Sequence, residues 1–79
     1  MSKWIDEIVY DFVMDMFKKS KKETNYKKAE EVHDFIRNKT PEEFAKIINI
    51  SEKDWNLAMA WREAEQCASR LLWKYYQIF

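Results

Sequence analysis

The sequence predicts an all-α fold, a small four-helix domain in which a long C-terminal helix packs on helix 1. Its apolar residues recur at three- and four-residue spacing, the period of helices with one buried face. Glycine is absent and the single proline, Pro41, stands between two predicted helices, which disfavours hairpins and loops that need positive φ. Hydrophobic residues make up 47% of the chain, enough to fill the core of a single domain over residues 1–79.

The first predicted helix has a broad apolar face and a narrow acidic stripe. The apolar face consists of Trp4, Ile5, Ile8, Val9, Phe12, Val13, Met16 and Phe17. Glu7, Asp11 and Asp15 recur every fourth residue on the opposite side. We expect the helix to end in the lysine-rich run after Phe17, because cations are favourable at a helix C-terminus and the following Ser, Thr and Asn suit turns.

A second helix is predicted from about Tyr26 to Arg37. Its buried positions are Ala29, Val32 and Ile36, together with either His33 or Phe35. Asn38 is expected to end this helix in the left-handed conformation, which asparagine tolerates better than most residues.

The third helix has the clearest local signal in the chain. Thr40 is a typical N-cap, Pro41 follows at the first helical position, and Glu43 completes a capping box. This helix is predicted to bury Phe44, Ile47 and Ile48 and to end near Asn49.

The fourth helix is predicted to begin after a Ser51 cap and to run from Glu52 almost to the C-terminus. A heptad seam that should pack on helix 1 consists of Leu57, Trp61, Ala64, Ala68, Leu71, Tyr75 and Ile78. The apolar residues off this seam are Trp55, Leu72, Trp73, Tyr76 and Phe79, and the last four crowd one end. Three shorter helices can hardly cover every face of so long a partner, so we expect an exposed apolar patch at that end.

Composition also bears on location and chemistry. Cys67 is the only cysteine and His33 the only histidine, so an internal disulfide is excluded and the single Glu-x-x-His, from Glu30 to His33, lacks the second motif that a di-iron site requires. Cys67, within the long fourth helix, is interpreted as a small apolar residue. No P-loop, nucleophile elbow or paired zinc ligands occur. We therefore expect no enzyme activity, cofactor or metal, and with no apolar run of about 18 residues we expect a cytoplasmic protein without membrane contact.

The stretch T-P-E-E-F-A-K-I-I-N-I-S and the residues after it have the pattern of two helices joined by a tight turn. Ala45 occupies the small buried position of the first helix, and Trp55 an inner apolar position of the second. Asn49 stands in the turn, where glycine is usual. In these features residues 40–58 resemble the helix-turn-helix of phage-repressor-type regulators, and that resemblance implies DNA contact at the start of the second helix.

The charged residues at this corner bear on two interpretations: a corner that contacts DNA and one that does not. Lys53 and Asn56 are the candidate base contacts, whereas Glu52 and Asp54 would face phosphates and base edges unfavourably. The phosphate backbone would be held by the one basic segment, with Lys18, Lys19, Lys21, Lys22, Lys27 and Lys28. A corner that touches no DNA is favoured on these charges, and a DNA-binding regulator is the alternative.

A second resemblance covers residues 36–50. The run from Ile36 to Glu43, followed by Lys46, Asn49 and Ile50, is similar to the helical C-terminal segment of Skp1, the adaptor that grips F-box proteins in ubiquitin ligases. That segment belongs to the partner-binding surface of the family, so the similarity implies protein binding through the third and fourth helices. The first 25 residues do not match the α/β portion of that family.

The function predicted by elimination is non-catalytic protein binding, as an adaptor or inhibitor on a larger complex. Small, aromatic-rich chains of this kind are expected among phage-encoded or other host-modulating factors. The predicted binding residues are Leu72, Trp73, Tyr76 and Phe79, with Glu7, Asp11 and Asp15 as a secondary surface. These aromatic residues could instead close the core or form a homodimer seam along the C-terminal helix.

Overall fold

The computed structural model describes residues 4–53 and 55–76, which form four α-helices and no strand. The helices are α1 (Ile5–Lys19), α2 (Asn25–Arg37), α3 (Pro41–Ile48) and α4 (Leu57–Tyr76). The all-α prediction is therefore confirmed. Within the described residues, none of these helices combines the length and apolar character needed to cross a membrane.

Helix α1 buries large side chains and exposes charged ones. Val9, Val13 and Phe17 are buried, whereas the whole predicted acidic stripe is exposed. The helix extends two residues past Phe17, through two lysines that suit its C-terminal dipole. The Ser20 hydroxyl then donates a hydrogen bond of 2.6 Å to the Glu31 carboxylate, which ties the end of α1 to α2.

Helix α2 begins with a side-chain cap. The Thr24 hydroxyl accepts a hydrogen bond of 3.1 Å from the Lys27 backbone N–H. Ala29, Val32 and Ile36 are buried as predicted, while His33 and Phe35 are both half-buried. The expected left-handed stop at Asn38 is wrong: its φ is −85°, because the chain continues directly toward the Thr40 cap and needs no reversal there.

Helix α3 confirms the predicted capping box. The Thr40 hydroxyl accepts from the Glu43 backbone N–H at 3.1 Å, and the Glu43 carboxylate accepts from the Thr40 N–H at 2.9 Å. Asn49 ends the helix in the left-handed conformation, with a φ of 61°. Phe44 is fully buried, but Ile47 is 42% exposed, so the prediction that it is buried is wrong. Ala45, which was assigned to the small buried position of this helix, is buried as expected.

Helix α4 begins at Leu57, five residues later than predicted. Ser51 caps a separate turn, since its hydroxyl accepts from the Lys53 N–H at 3.1 Å. The helix itself is capped by Asn56, whose side-chain oxygen accepts from the Met59 N–H at 3.2 Å. Two capping residues therefore stand in succession, and the second one starts the helix.

Packing around α4 places α1 and α2 on its two flanks. α4 packs on α1, as predicted, and more extensively on α2. Phe17 stacks on Tyr75 with ring centroids 5.3 Å apart, so the C-terminal ends of α1 and α4 lie together and the two helices run parallel. The Trp61 indole N–H donates to the Ile36 carbonyl at 3.0 Å, which joins the start of α4 to the end of α2 and makes that pair antiparallel.

The predicted seam of α4 is only partly the buried one. Ala60, Ala64 and Ala68 are its buried residues, and Ala60 was not assigned to the seam. The larger described seam residues, Leu57, Trp61, Leu71 and Tyr75, are half-buried. Ile78 lies outside the described residues. Small side chains at the centre let neighbouring helices approach closely, so the large ones are left at the edges of the contact.

Candidate functional site

The predicted aromatic end of α4 forms one wall of a groove. This aromatic groove is lined by Tyr26 of α2 and by Ser69, Leu72, Trp73 and Tyr76 of α4, and its volume is about 250 Å³. Trp73 is 63% exposed and Tyr76 57% exposed. Exposed apolar side chains that lie together in one patch, as these two do, are typical of interaction sites. The predicted residue Phe79 lies outside the described residues.

Antiparallel packing assembles the aromatic groove. The start of α2 lies beside the end of α4, and the rings of Tyr26 and Tyr76 meet with centroids 5.6 Å apart and planes tilted by 47°. Partial burial raises the pKa of the Tyr26 phenol, and the Glu30 carboxylate beside it raises that pKa further. The phenol therefore stays neutral and acts as a hydrogen-bonding aromatic wall.

Leu72 has a different role from its aromatic neighbours. Its side chain is half-buried and packs against the hydrophobic core while also lining the groove. It therefore joins the exposed aromatic residues to the folded interior. A partner that contacts Trp73 and Tyr76 would therefore contact a surface that Leu72 anchors to the core.

The acidic stripe of α1 borders a second groove, on the opposite flank of α4. This charged groove, of about 380 Å³, contains Glu7 and Asp11 from the predicted stripe but not Asp15. Its other lining residues are Asp6, Val9, Tyr10, Glu63, Cys67 and Arg70. Asp15 is also exposed and forms an ion pair of 3.0 Å with Lys19 one turn later.

Cys67 lies on the floor of the charged groove. Burial raises the pKa of its thiol, and the Glu63 carboxylate contributes in the same direction, while Arg70 opposes them. The thiol is therefore held in its unreactive neutral form. This environment fits the expected role as a small apolar side chain.

The basic segment surrounds the connection between α1 and α2. Its lysines, Lys18, Lys19, Lys21, Lys22, Lys27 and Lys28, are exposed except for Lys28, which is half-buried with its ammonium 5.7 Å from the centre of the Phe17 ring. Lys22 and Lys27 line a hollow whose other residues are Glu30, Glu31 and Asp34. Neighbouring carboxylates therefore reduce the positive potential that a phosphate backbone would meet.

The helix-turn-helix corner differs from the predicted geometry. Lys53 and Glu52 lie in the turn before α4, not on its first exposed helical turn. The Asn56 side chain is engaged in capping α4. Asp54 lies outside the described residues. The residues proposed to reach base edges are therefore not displayed along one helix face.

His33 pairs with a residue of α4 and not with the neighbouring Glu30. Its Nε2 lies 3.8 Å from the Glu65 carboxylate, an ion pair whenever the imidazole is protonated. Within residues 4–53 and 55–76, no group of three or more His, Cys, Asp or Glu side chains is arranged to hold a metal ion.

Sequence reasoning missed the residues that neighbouring helices contribute. Tyr26 and Ser69 belong to the aromatic groove, and Tyr10 and Arg70 to the charged groove. An antiparallel pairing of α2 with α4 would have placed Tyr26 beside Tyr76, but apolar periodicity alone does not specify that pairing.

Comparisons of this chain with protein-family models, with curated proteins and with solved structures find no match.

Proposed function

We propose that this protein is a non-catalytic protein-binding module, an adaptor or inhibitor that occupies a surface of a larger complex through its aromatic groove. The partner complex would belong to a host or to a defence system. The observation that carries the proposal is the exposure of Trp73 and Tyr76 along the α4 wall of a shallow groove.

The residue types in the groove support a protein partner. Tryptophan and tyrosine are enriched among the residues that contribute most to the free energy of protein association, because each buries a large area and loses few rotatable bonds. Leu72 supplies an apolar floor between them. Burying an exposed tryptophan in a partner's pocket would remove from water the largest apolar side chain of this face.

The groove is also organised before a partner arrives. Tyr76 rests against Tyr26 of another helix, and Leu72 is held by the core. A wall that is already ordered loses less conformational entropy on binding than a free side chain does.

A pull-down from nuclease-treated lysate, followed by mass spectrometry, tests this proposal. The bait is wild type, compared with the double variant Trp73→Ala/Tyr76→Ala. Both side chains are exposed, so the variant should keep its helical circular dichroism. Met59→Ala is the matched control, because Met59 is 66% exposed near the other end of the same helix. We expect one protein that wild type and the Met59 variant capture and the double variant loses.

The same assay without nuclease distinguishes the alternative, a DNA-binding regulator, from a protein-binding module. Binding to DNA through five exposed lysines would weaken steeply as salt rises, because each phosphate contact releases a counterion. An interface anchored on aromatic side chains would persist. Retention of DNA at low salt together with no nuclease-resistant protein partner would overturn the protein-binding proposal and make the lysines of residues 18–28 the site to mutate.

A further inference from the structure

The connection between α1 and α2 presents one serine among lysines. The four nearest neighbours of Ser20 in the chain are Lys18, Lys19, Lys21 and Lys22. No other serine or threonine of the sequence has a lysine directly on both sides. Ser20 is therefore the serine or threonine with the most basic immediate surroundings in the chain.

The backbone around Ser20 is extended and accessible. Ser20 follows the last residue of α1 with a φ of −65° and a ψ of 137°, so the helical geometry ends before it. Residues 21–24, which come next, are exposed. An enzyme cleft can take up such a segment without unfolding a helix. Ser69, by contrast, lies within α4.

The Ser20 hydroxyl has an acidic partner that a phosphate would repel. It donates a hydrogen bond of 2.6 Å to the Glu31 carboxylate, on the exposed surface where α1 meets α2. Its oxygen accepts from the Lys22 backbone N–H at 3.3 Å. A phosphate in place of the hydroxyl carries roughly −1.5 to −2 charges at neutral pH, so it would be repelled by Glu31. The contact that ties the end of α1 to α2 would then be lost.

The position of Ser20 at the end of α1 acts in the same direction. Ser20 is the C-terminal cap, and its backbone N–H donates to the Phe17 carbonyl at 3.3 Å. The carbonyl end of a helix carries partial negative charge, which Lys18 and Lys19 in the last turn offset. A phosphate at the cap adds negative charge at that end, so it favours release of the last turn of α1.

We propose that Ser20 is a phosphorylation site for a serine kinase with an acidic substrate cleft, and that the phosphate releases the end of α1 from α2. In the reaction the Ser20 oxygen attacks the γ-phosphorus of ATP and forms an O–P bond. The bond from that phosphorus to the bridging oxygen breaks, ADP leaves, and the hydroxyl proton passes to a carboxylate of the kinase. The inference goes beyond the proposed function, because it uses no residue of the aromatic groove.

The other charged groups at this connection are compatible with the site. The ion pair of Lys19 with Asp15 leaves the lysine available, because both side chains are exposed and such pairs within one helix are weak. Glu23 is the one carboxylate of residues 18–28, so the segment stays strongly basic. Once the phosphate is present, the exposed lysines 21 and 22 can pair with it, which stabilises the released form.

Phosphorylation of the full chain in vitro tests the site. The purified protein is incubated with ATP and a serine kinase that prefers lysine and arginine around its target, and peptide mapping by mass spectrometry locates the phosphate. We expect one phosphate, on Ser20, and none on Ser51, whose neighbour Glu52 is acidic. Ser20→Ala should remain unmodified. A chain without phosphate on Ser20, or one modified equally on Ser51, would overturn the proposal.

Two charge variants measure how far the flanking lysines direct the kinase. Lys19→Gln/Lys21→Gln removes the two direct neighbours of Ser20 and should lower kcat/KM of the kinase for this chain by about fivefold or more. Lys46→Gln/Lys53→Gln removes two exposed lysines elsewhere, so it is the matched control and should leave kcat/KM unchanged. Equal values for the two variants would contradict recognition through charge.

Amide hydrogen exchange measures the release of α1. In wild type the phosphate should speed exchange in residues 16–19 by about fivefold or more. Ser20→Ala loses the hydrogen bond without gaining charge, so its exchange should rise less.

Glu31→Lys is the decisive variant, because it replaces the repelling carboxylate with an ammonium group at an exposed position. Phosphorylation of Ser20 should slow exchange in residues 16–19 of this variant, since the phosphate would now pair across the connection. Exchange that the phosphate leaves unchanged in wild type, or speeds equally in Glu31→Lys, would overturn the proposed release. Neither measurement involves a partner protein, so its outcome is independent of the aromatic groove.

Discussion

Helices α1 and α4 lie side by side and divide their side chains in opposite ways. α1 turns Val9, Val13 and Phe17 inward and exposes charges. The buried residues of α4 are three alanines, Ala60, Ala64 and Ala68, and it exposes some of its largest apolar side chains. One helix therefore supplies core volume, whereas the other supplies close helix contacts and a displayed surface.

The difference has a geometric origin. α4 is in contact with each of the other three helices, and small side chains allow their backbones to approach. Once alanines occupy the centre, larger residues can only lie at the margins of each contact. Trp73 and Tyr76 lie outside these contacts and remain exposed, since no described neighbour covers them fully.

The largest expected effect comes from removing core volume on α1. Phe17→Ala should lower the free energy of unfolding by about 3–5 kcal/mol, because it opens a cavity and removes the stack on Tyr75. Trp73 is larger than Phe17 but lies on the exposed face of α4. Trp73→Ala should therefore change the free energy of unfolding by less than about 0.5 kcal/mol. Urea unfolding followed by circular dichroism measures both, and equal losses would contradict the division of roles between the two helices.

Enlarging a buried side chain of α4 should destabilise the fold, whereas in α1 it is the removal of a buried side chain that does so. Ala64 is fully buried against neighbouring helices, so Ala64→Leu should destabilise the fold by about 1–3 kcal/mol through overpacking. Ala58→Leu places the same group on an exposed position of the same helix and is the control. Thermal unfolding compares them; a tolerated leucine at 64 would show that the helices are not in close contact there.

The start of α4 should depend on Asn56 more than on Ser51. Asn56→Ala removes the oxygen that accepts from the Met59 N–H and should cost about 1 kcal/mol, the usual value for an N-cap. Ser51→Ala removes only a bond within the preceding turn and should cost less. If the serine variant is the less stable in urea unfolding, the helix begins nearer the position expected from sequence.

The smallest effect concerns protonation of Cys67. Burial raises the pKa of its thiol in the folded protein, so the folded state holds this proton more tightly than the unfolded chain. The resulting stabilisation is fully present below the ordinary thiol pKa and is lost as pH rises through the raised, folded value. The rate of alkylation against pH should reach half its maximum at a higher pH in folded protein than in urea; coincident profiles would contradict the burial.

Local signals in the sequence predicted most of the helices. The capping box at Thr40 and Glu43 involves neighbours in the chain, so its residues identify it directly. The start of α4 was misplaced because Ser51 and Asn56 are both good caps, and local chemistry does not decide between a capped turn and a capped helix. Packing between the helices decides which of the two caps starts α4.

The grooves were less predictable than the helices. The apolar excess at Leu72, Trp73 and Tyr76 is visible in the sequence, and the structure confirms that the last two are exposed. Tyr26 could not be assigned to the same surface because it lies on a helix far away in the chain. Ile47 was misassigned for a similar reason: α3 is short, and which of its faces is buried depends on where α1 and α4 lie.

The stack of Phe17 on Tyr75 also bears on the order of folding. These residues are more than twice as far apart in the chain as Trp61 and Ile36, which are 25 residues apart and join α2 to α4. Closing the longer loop costs about 0.6 kcal/mol more for each doubling of length. The contact between α2 and α4 should therefore form before the stack of Phe17 on Tyr75 does. The hydrogen bond from Ser20 to Glu31 spans only 11 residues, so the end of α1 is tied to α2 before it reaches α4.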